Sequence, residues 1–265
     1  MPNTVLDAHF HADILMTRQS DFVSLYQDLG LGGLSWSYAH NIASWRDYPA
    51  YWQNLSGLCT ELNERGVPCY YLVGIHPRCI PDDLSQKAYL PPELHREMGR
   101  HLEHHLCRGL GELGLETPTG DEEKVFRWQL DLAVQSLPLD KNIGIHTPRQ
   151  NKLHVTQTIL DIVRRYPELK ESLLVDHLNS QVWPLVWDAG YMMGMTLQPG
   201  KADIEEVRSV LSQEPRSEDK LILNSDGAKE VSQPFVQAIR EGLPRASQTW
   251  TKMFYDNARE FWGLD

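Results

Sequence analysis

The chain has 265 residues, 41% hydrophobic and 23% charged, which supplies apolar material for a large core and argues against a disordered or disulfide-stapled protein. The formal net charge is −11, and no lysine- or arginine-rich run is present, so broad docking on duplex nucleic acid is disfavoured. No apolar run approaches the roughly 20 residues that span a bilayer. The opening Met1-Pro2-Asn3-Thr4-Val5-Leu6-Asp7-Ala8-His9 also lacks the basic and apolar regions of a secretory signal, so a cytoplasmic protein with no membrane partner, and a monomer, is expected.

From the N-terminus onward, short runs of apolar and β-branched residues alternate with longer amphipathic stretches, the pattern of repeated βα units. Strands are predicted at Val5–His11, Gly33–Ser37, Cys69–His76, Arg108–Leu115, Asn142–His146, Leu173–His177, Tyr191–Leu197 and Lys220–Ser225. Eight such units close a barrel, and barrels of this kind run to roughly 250 residues as one domain. The expected fold is therefore an α/β TIM (β/α)8 barrel, a single domain over residues 1–265. Helices at Glu122–Ser136, with Val125, Trp128, Leu132 and Leu139 on or near one face, and at Lys152–Arg165, with Val155, Ile159, Ile162 and Val163, would coat it. A last helix over Ala246–Trp262 would seal one side with Trp250, Phe254, Ala258, Phe261 and Trp262. Cys59, Cys69, Cys79 and Cys107 form no Cys-x-x-Cys pair and are expected to be reduced and mostly buried.

The chemistry begins in the first strand. Side chains alternate across a strand, so Val5, Asp7, His9 and His11 share one face. Two neutral imidazoles at the C-terminal end can grip one divalent ion, with Asp7 orienting a ring from behind. Other strands end in ligand-type residues as well: Glu112 and Glu116 after the fourth, His146 after the fifth, His177 after the sixth, Asp226 after the eighth. A lone residue of this kind is more readily a satisfied buried histidine or a helix N-cap aspartate. Their recurrence at the end of successive strands, where barrel enzymes assemble their sites, points to a shared centre.

As a set, Asp7-x-His9-x-His11, Val73-Gly-Ile-His76-Pro77, Gly111-Glu112-Leu-Gly-Leu, Ile145-His146 and Ser225-Asp226 resemble the successive motifs of the TatD-related metal-dependent hydrolases, in order and spacing, over nearly the whole chain. The resemblance implies that His9 and His11 bind one metal with help from Asp226, and that Glu112 bridges to a second metal held by His146 and His177. Glu112 and Asp226 would be the catalytic carboxylates, Asp226 as general base to a metal-activated water. The mixed nitrogen and oxygen set suits two divalent ions, Zn²⁺, Mn²⁺ or, more weakly, Mg²⁺. Some positions depart from the family pattern: His177-Leu-Asn179-Ser180 replaces a Cys-Phe-Ser-Gly-like turn, Asn224-Ser225-Asp226 replaces Glu-Thr-Asp, Arg149 is displaced by one place, and Glu116 stands for an aspartate. The chain reads as a divergent branch whose metal ligands are kept while its substrate-facing positions are not clearly kept.

Loops after strands carry Arg78, Arg149, Lys152, Lys201 and Lys229, which in so acidic a chain suggests a small anionic or phosphoester substrate, against the plain alternative that loops contain cations anyway. Arg149 and Lys152 are the expected substrate-binding cations. His76 either hydrogen-bonds substrate or leaving group, or is structural. In the ring-rich segment after the second strand, Trp36, Tyr38, His40 and Trp45 are candidates to stack a flat group, although packing is preferred for most of them. His95, His101, His104 and His105 are read as a solvated helix face and set aside. The leading expectation is hydrolysis of phosphoesters, including single-stranded nucleic acid ends. A lactone or amide hydrolase, or a metal-bound barrel without turnover, are the alternatives.

Overall fold

The computed structural model describes residues 5–240 and 248–264. Eight parallel strands follow one another in chain order: β1 (Val5–Phe10), β2 (Leu31–Ser35), β3 (Cys69–Val73), β4 (Cys107–Gly114), β5 (Asn142–His146), β6 (Leu173–Val175), β7 (Met192–Thr196) and β8 (Leu221–Asn224). Beyond the end of β8, Asp226 N–H donates to His9 O at 2.8 Å and His11 N–H to Gly227 O at 2.7 Å, which brings the last strand back to the first. The result is a single-domain (β/α)8 barrel. Strands buried on both faces must be apolar on both, which is why they read as continuous runs in the sequence.

Helices α1 (Ala12–Arg18), α2 (Phe22–Leu29), α3 (Tyr48–Glu64), α4 (Asp82–Ser85), α5 (Pro92–Leu102), α6 (Gly120–Ser136), α7 (Lys152–Val163), α8 (Trp183–Ala189), α9 (Ile204–Gln213) and α10 (Gln233–Arg240) fill the connections. The start of α6 shows how capping positions the site. Thr119 Oγ1 accepts from Glu122 N–H, and the Glu122 carboxylate accepts from the backbone N–H of Glu116 and Thr117 at 2.8 and 2.9 Å. The loop that carries Glu116 is thereby tied to the helix that follows it.

The structure corrects several expectations. Strands predicted to run through His11, His76 and His177 stop at Phe10, Val73 and Val175, so these histidines stand beyond the ladder. Leu139 lies past the end of α6 and is fully exposed. Of the predicted last helix, Ala246 and Ser247 lie outside the described residues, as do the first four residues of the N-terminal stretch. From Gln248 onward that segment is an α-turn, a π-helical turn at Lys252–Asp256 and a final helix at Asn257–Trp262, which buries Met253, Phe254, Ala258 and Trp262. His101 is not solvated: it is 4% exposed, its Nδ1 is 2.9 Å from Tyr71 Oη, and its ring meets Trp52. All four cysteines are buried and free. Among the described residues no helix is long and apolar enough to cross a membrane.

Candidate metal centre

Glu112, near the end of β4 and 2% exposed, is the hub of the barrel mouth. Its Oε2 lies 3.4 Å from His9 Nε2 and 4.0 Å from His11 Nε2, and Asp226 Oδ1 lies 3.6 and 3.2 Å from the same two nitrogens. Its Oε1 lies 2.6 Å from His146 Nδ1 and 3.0 Å from His177 Nε2. All six residues that the resemblance names as ligands therefore meet, in two half-sites on the two oxygens of one carboxylate. His177 and Asp226 hold φ of 60° and 46°, a left-handed conformation that non-glycine residues adopt at a cost. Both occur where a strand gives way to the site.

The second nitrogen of each ring decides what the first can do. His9 Nδ1–H donates to Asp176 Oδ2 at 2.6 Å, and His11 Nδ1–H donates to Trp36 O at 3.0 Å. Thr196 Oγ1 donates to Asn224 Oδ1, so it accepts from His177 Nδ1–H at 2.7 Å. Three Nε2 lone pairs are thus aimed at carboxylate oxygens, acceptor against acceptor, and His9 Nε2 is buried with no hydrogen-bond partner. Glu116 does the same for His146, taking Nε2–H at 2.8 Å and leaving Nδ1 towards Glu112. Only a cation reconciles such an arrangement, so the residues present fit a divalent metal.

The electrostatics agree. Burial would raise the Glu112 pKa, but the imidazoles of His76, His9 and His146 hold it well below the usual range. Burial likewise opposes Asp226, whose carboxyl is held well below its ordinary value by the Lys201 ammonium and His177. Burial lowers the His9 pKa, yet Glu112 and Asp176 outweigh it and lift the ring to about 10. A proton on His9 stands in there for the positive charge that the surrounding carboxylates demand.

His76 is of a different kind. Its Nδ1 accepts from Arg78 N–H at 3.0 Å, so the hydrogen of its neutral ring is on Nε2, 3.6 Å from Glu112 Oε1. Burial lowers its pKa to about 4. Although it lies close enough to Glu112 and His146 to join a ligand group, this tautomer makes it a donor into the site.

Two expected roles change. Asp7 does not orient an imidazole: its carboxylate accepts from Tyr26 Oη at 2.7 Å, Ser225 Oγ at 2.5 Å and Ser225 N–H at 2.9 Å. The register of β1 on β2 shifts between Asp7 and Phe10, so simple alternation does not carry across this stretch, and Asp7 anchors the residue before Asp226 instead. Lys152 is 8% exposed and does not line the cleft; its Nζ donates to Thr147 Oγ1 at 3.0 Å and Pro148 O at 2.8 Å, fastening the loop after β5. The other expected cations, Arg78, Arg149, Lys201 and Lys229, do line the cleft of about 770 Å³ above Glu112, together with Arg18. Trp36 and Trp45 are packed inside, as preferred from the sequence, and Tyr38 and His40 form part of the wall.

Asp176, Thr196, Asn224 and Glu116, which set the ring tautomers, were not read as such from the sequence. Asp176 had one visible signal, an aspartate directly before a ligand-type histidine at a strand end. Gly194 makes room for it, since a Cβ there would collide with Asp176 Oδ1.

Fold and site together define a (β/α)8 barrel of the metal-dependent hydrolase class. Its family follows from comparison: a model described as TatD related DNase matches residues 6–238, and the chain belongs to that family. It is 30% identical over 231 residues to an uncharacterized metal-dependent hydrolase of Methanocaldococcus jannaschii, covering 84% of this chain and 83% of that one. The crystal structure of a TatD-like protein from Archaeoglobus fulgidus superposes with a TM-score of 0.75 at 26% identity, over 97% of this chain and 99% of the other. A putative 2-pyrone-4,6-dicarboxylic acid hydrolase from Pseudomonas putida shares the fold, with a TM-score of 0.58 at 15% identity over 100% and 99% of the two chains.

Proposed function

We propose that this TatD-family hydrolase cleaves phosphoesters, with single-stranded nucleic acid ends as the natural class of substrate. The observation that carries the reading is the set of cations, Arg18, Arg78, Arg149, Lys201 and Lys229, around the cleft of a chain whose net charge is −11. Guanidinium and ammonium groups neutralise non-bridging phosphate oxygens, and an open cleft of this size admits one strand. In this reading His9, His11, Asp226 and Glu112 hold one divalent ion, and Glu112, His146 and His177 hold a second. Bound Zn²⁺, Mn²⁺ or Mg²⁺ would supply a water acidified to near neutrality and a Lewis acid for the phosphoryl oxygen.

The chain's own groups divide the remaining work. Asp226, kept ionised by its neighbours, accepts the proton of the attacking water. His76, neutral and protonated on Nε2, donates to a substrate oxygen. Arg149, whose Nη2 donates to Gln198 Oε1 at 2.5 Å, stands at the rim where an anionic group enters.

The test is release of nitrophenol from bis-nitrophenyl phosphate, and of nucleotides from single-stranded DNA, on addition of Mn²⁺ or Mg²⁺. Activity on both that is lost in Glu112→Ala is the expected result. Hydrolysis of lactones or acyl amides with none of phosphoesters would overturn it.

A further inference from the structure

Lys201 lies in the loop between β7 and α9, its side chain 6% exposed, with its Nζ on Asp226 Oδ2. The same nitrogen is 3.1 Å from His177 Nδ1 and 3.3 Å from His177 Nε2. The loop is no loose tether. Leu197 and Ala202 form a parallel bridge, Ala202 N–H donates to Thr196 O at 3.1 Å, and Lys201 N–H donates to Gln198 O at 3.0 Å. Gln198 Nε2 in turn donates to Asp226 O at 3.2 Å.

His177 Nδ1–H is already given to Thr196, and Nζ, nearly equidistant from the two ring nitrogens, lies against the face of the His177 ring rather than in line with either lone pair. Its charge therefore stands beside the Nε2 lone pair aimed at Glu112 Oε1, in the half-site completed by His146 Nδ1. In the half-site of His9, His11 and Asp226 Oδ1 the ammonium meets only the other oxygen of Asp226 and makes no hydrogen bond to either imidazole.

We infer that Lys201 is a built-in competitor for the Glu112–His146–His177 half-site, so that the centre takes its first divalent ion readily and its second only when an anionic ligand draws the lysine away. The inference rests on the two half-sites of the proposed function and adds an order of loading to them. Its physical basis is Coulomb repulsion: two cations sharing the contacts of one imidazole disfavour each other, and an anion that engages the ammonium removes part of that penalty. Metal and anionic substrate then bind cooperatively, each strengthening the other.

The experiment is titration of the full-length, chelator-stripped chain with Mn²⁺, free ion being counted by electron paramagnetic resonance. Wild type is expected to bind one ion tightly and a second roughly tenfold or more weakly. In Lys201→Met the gap should narrow to about threefold or less with the tight site retained, and in Lys201→Arg, which keeps the charge, it should persist. Inorganic phosphate should strengthen the second ion in wild type but not in Lys201→Met. Two ions held equally by wild type, a gap that survives Lys201→Met, or no effect of phosphate would overturn the inference and leave the hydrolase reading standing. No stoichiometric Mn²⁺ at all would overturn both. The tight site is an internal check that Lys201→Met has folded.

Discussion

Five imidazoles crowd around one glutamate, and what separates them is the partner on the far nitrogen. His9, His11, His146 and His177 each give an N–H to an acceptor behind them, whereas His76 receives one from Arg78. That difference predicts a split between metal content and turnover. His76→Ala should keep its metal while turnover on phosphoesters falls roughly 100-fold, the loss of a positioned hydrogen-bonding group. Asp176→Asn should instead weaken the metal by about 10- to 100-fold, because an amide presents an NH₂ group to a carboxylate position that accepts from His9, His177 N–H and Asn224 at once. Chelator competition followed by metal analysis, run beside the turnover assay, reads both variants. Loss of metal in His76→Ala would return that residue to the ligand set. Residue types and their spacing made the ligands legible in the sequence, but their supports were not. Asp176 stands 167 residues from the ring it fixes, and nothing local in Leu174-Val-Asp-His177 says that two successive side chains both face the site. The left-handed turn at His177 ends the alternation that a strand would impose.

Among the elements, β5 carries a constraint that links the floor of the site to the stability of the barrel. Trp36 stacks on His9 with ring centroids 4.0 Å apart, gives its indole N–H to Ala8 O, and meets Trp262 of the last helix edge-on at 5.8 Å. Its six-membered ring lies against Gly144, where a Cβ would collide with it. Gly144→Ala is therefore an overpacking change, expected to cost about 1–3 kcal/mol. A lowered denaturant midpoint, with weaker metal binding because the displaced Trp36 also supplies the carbonyl that holds His11, is the expected outcome. Unchanged stability would show that Trp36 has room to move. The strands themselves were legible because both faces are buried, and helices α6 and α7 because their apolar faces recur with helical spacing. Strand ends were overrun at His76 and His177 because ligand-type residues follow the apolar runs without any break that sequence alone marks. The bulge that turns Asp7 towards Tyr26 and Ser225 is likewise a pairing effect between strands, invisible within either one.

Across the whole molecule, one buried histidine outside the mouth, His101, couples stability to pH. The helix before β4 reads as polar, with His95, His101, His104 and His105 close together, yet the fold turns His101 inward against Tyr71 and Trp52. Burial, reinforced by Arg100, lowers the His101 pKa to about 4 from the 6.5 of a free imidazole. A base whose pKa is depressed on folding is protonated more readily in the unfolded chain. As pH falls from about 6.5 through 4, the unfolded state takes up a proton that the folded state refuses, and stability declines across that window. Above pH 6.5 both states carry the neutral ring and this contribution disappears. His101→Gln keeps a hydrogen-bonding group near Tyr71 Oη but cannot titrate, so the fall in denaturant midpoint between pH 7.5 and pH 5 should be smaller in this variant than in wild type. Histidines at the metal centre contribute equally to both proteins, and the comparison removes them. An identical acid slope in the two would mean that the His101 ring is protonated without disturbing the fold, with the orphaned Nε2 satisfied in some way other than burial as a neutral group.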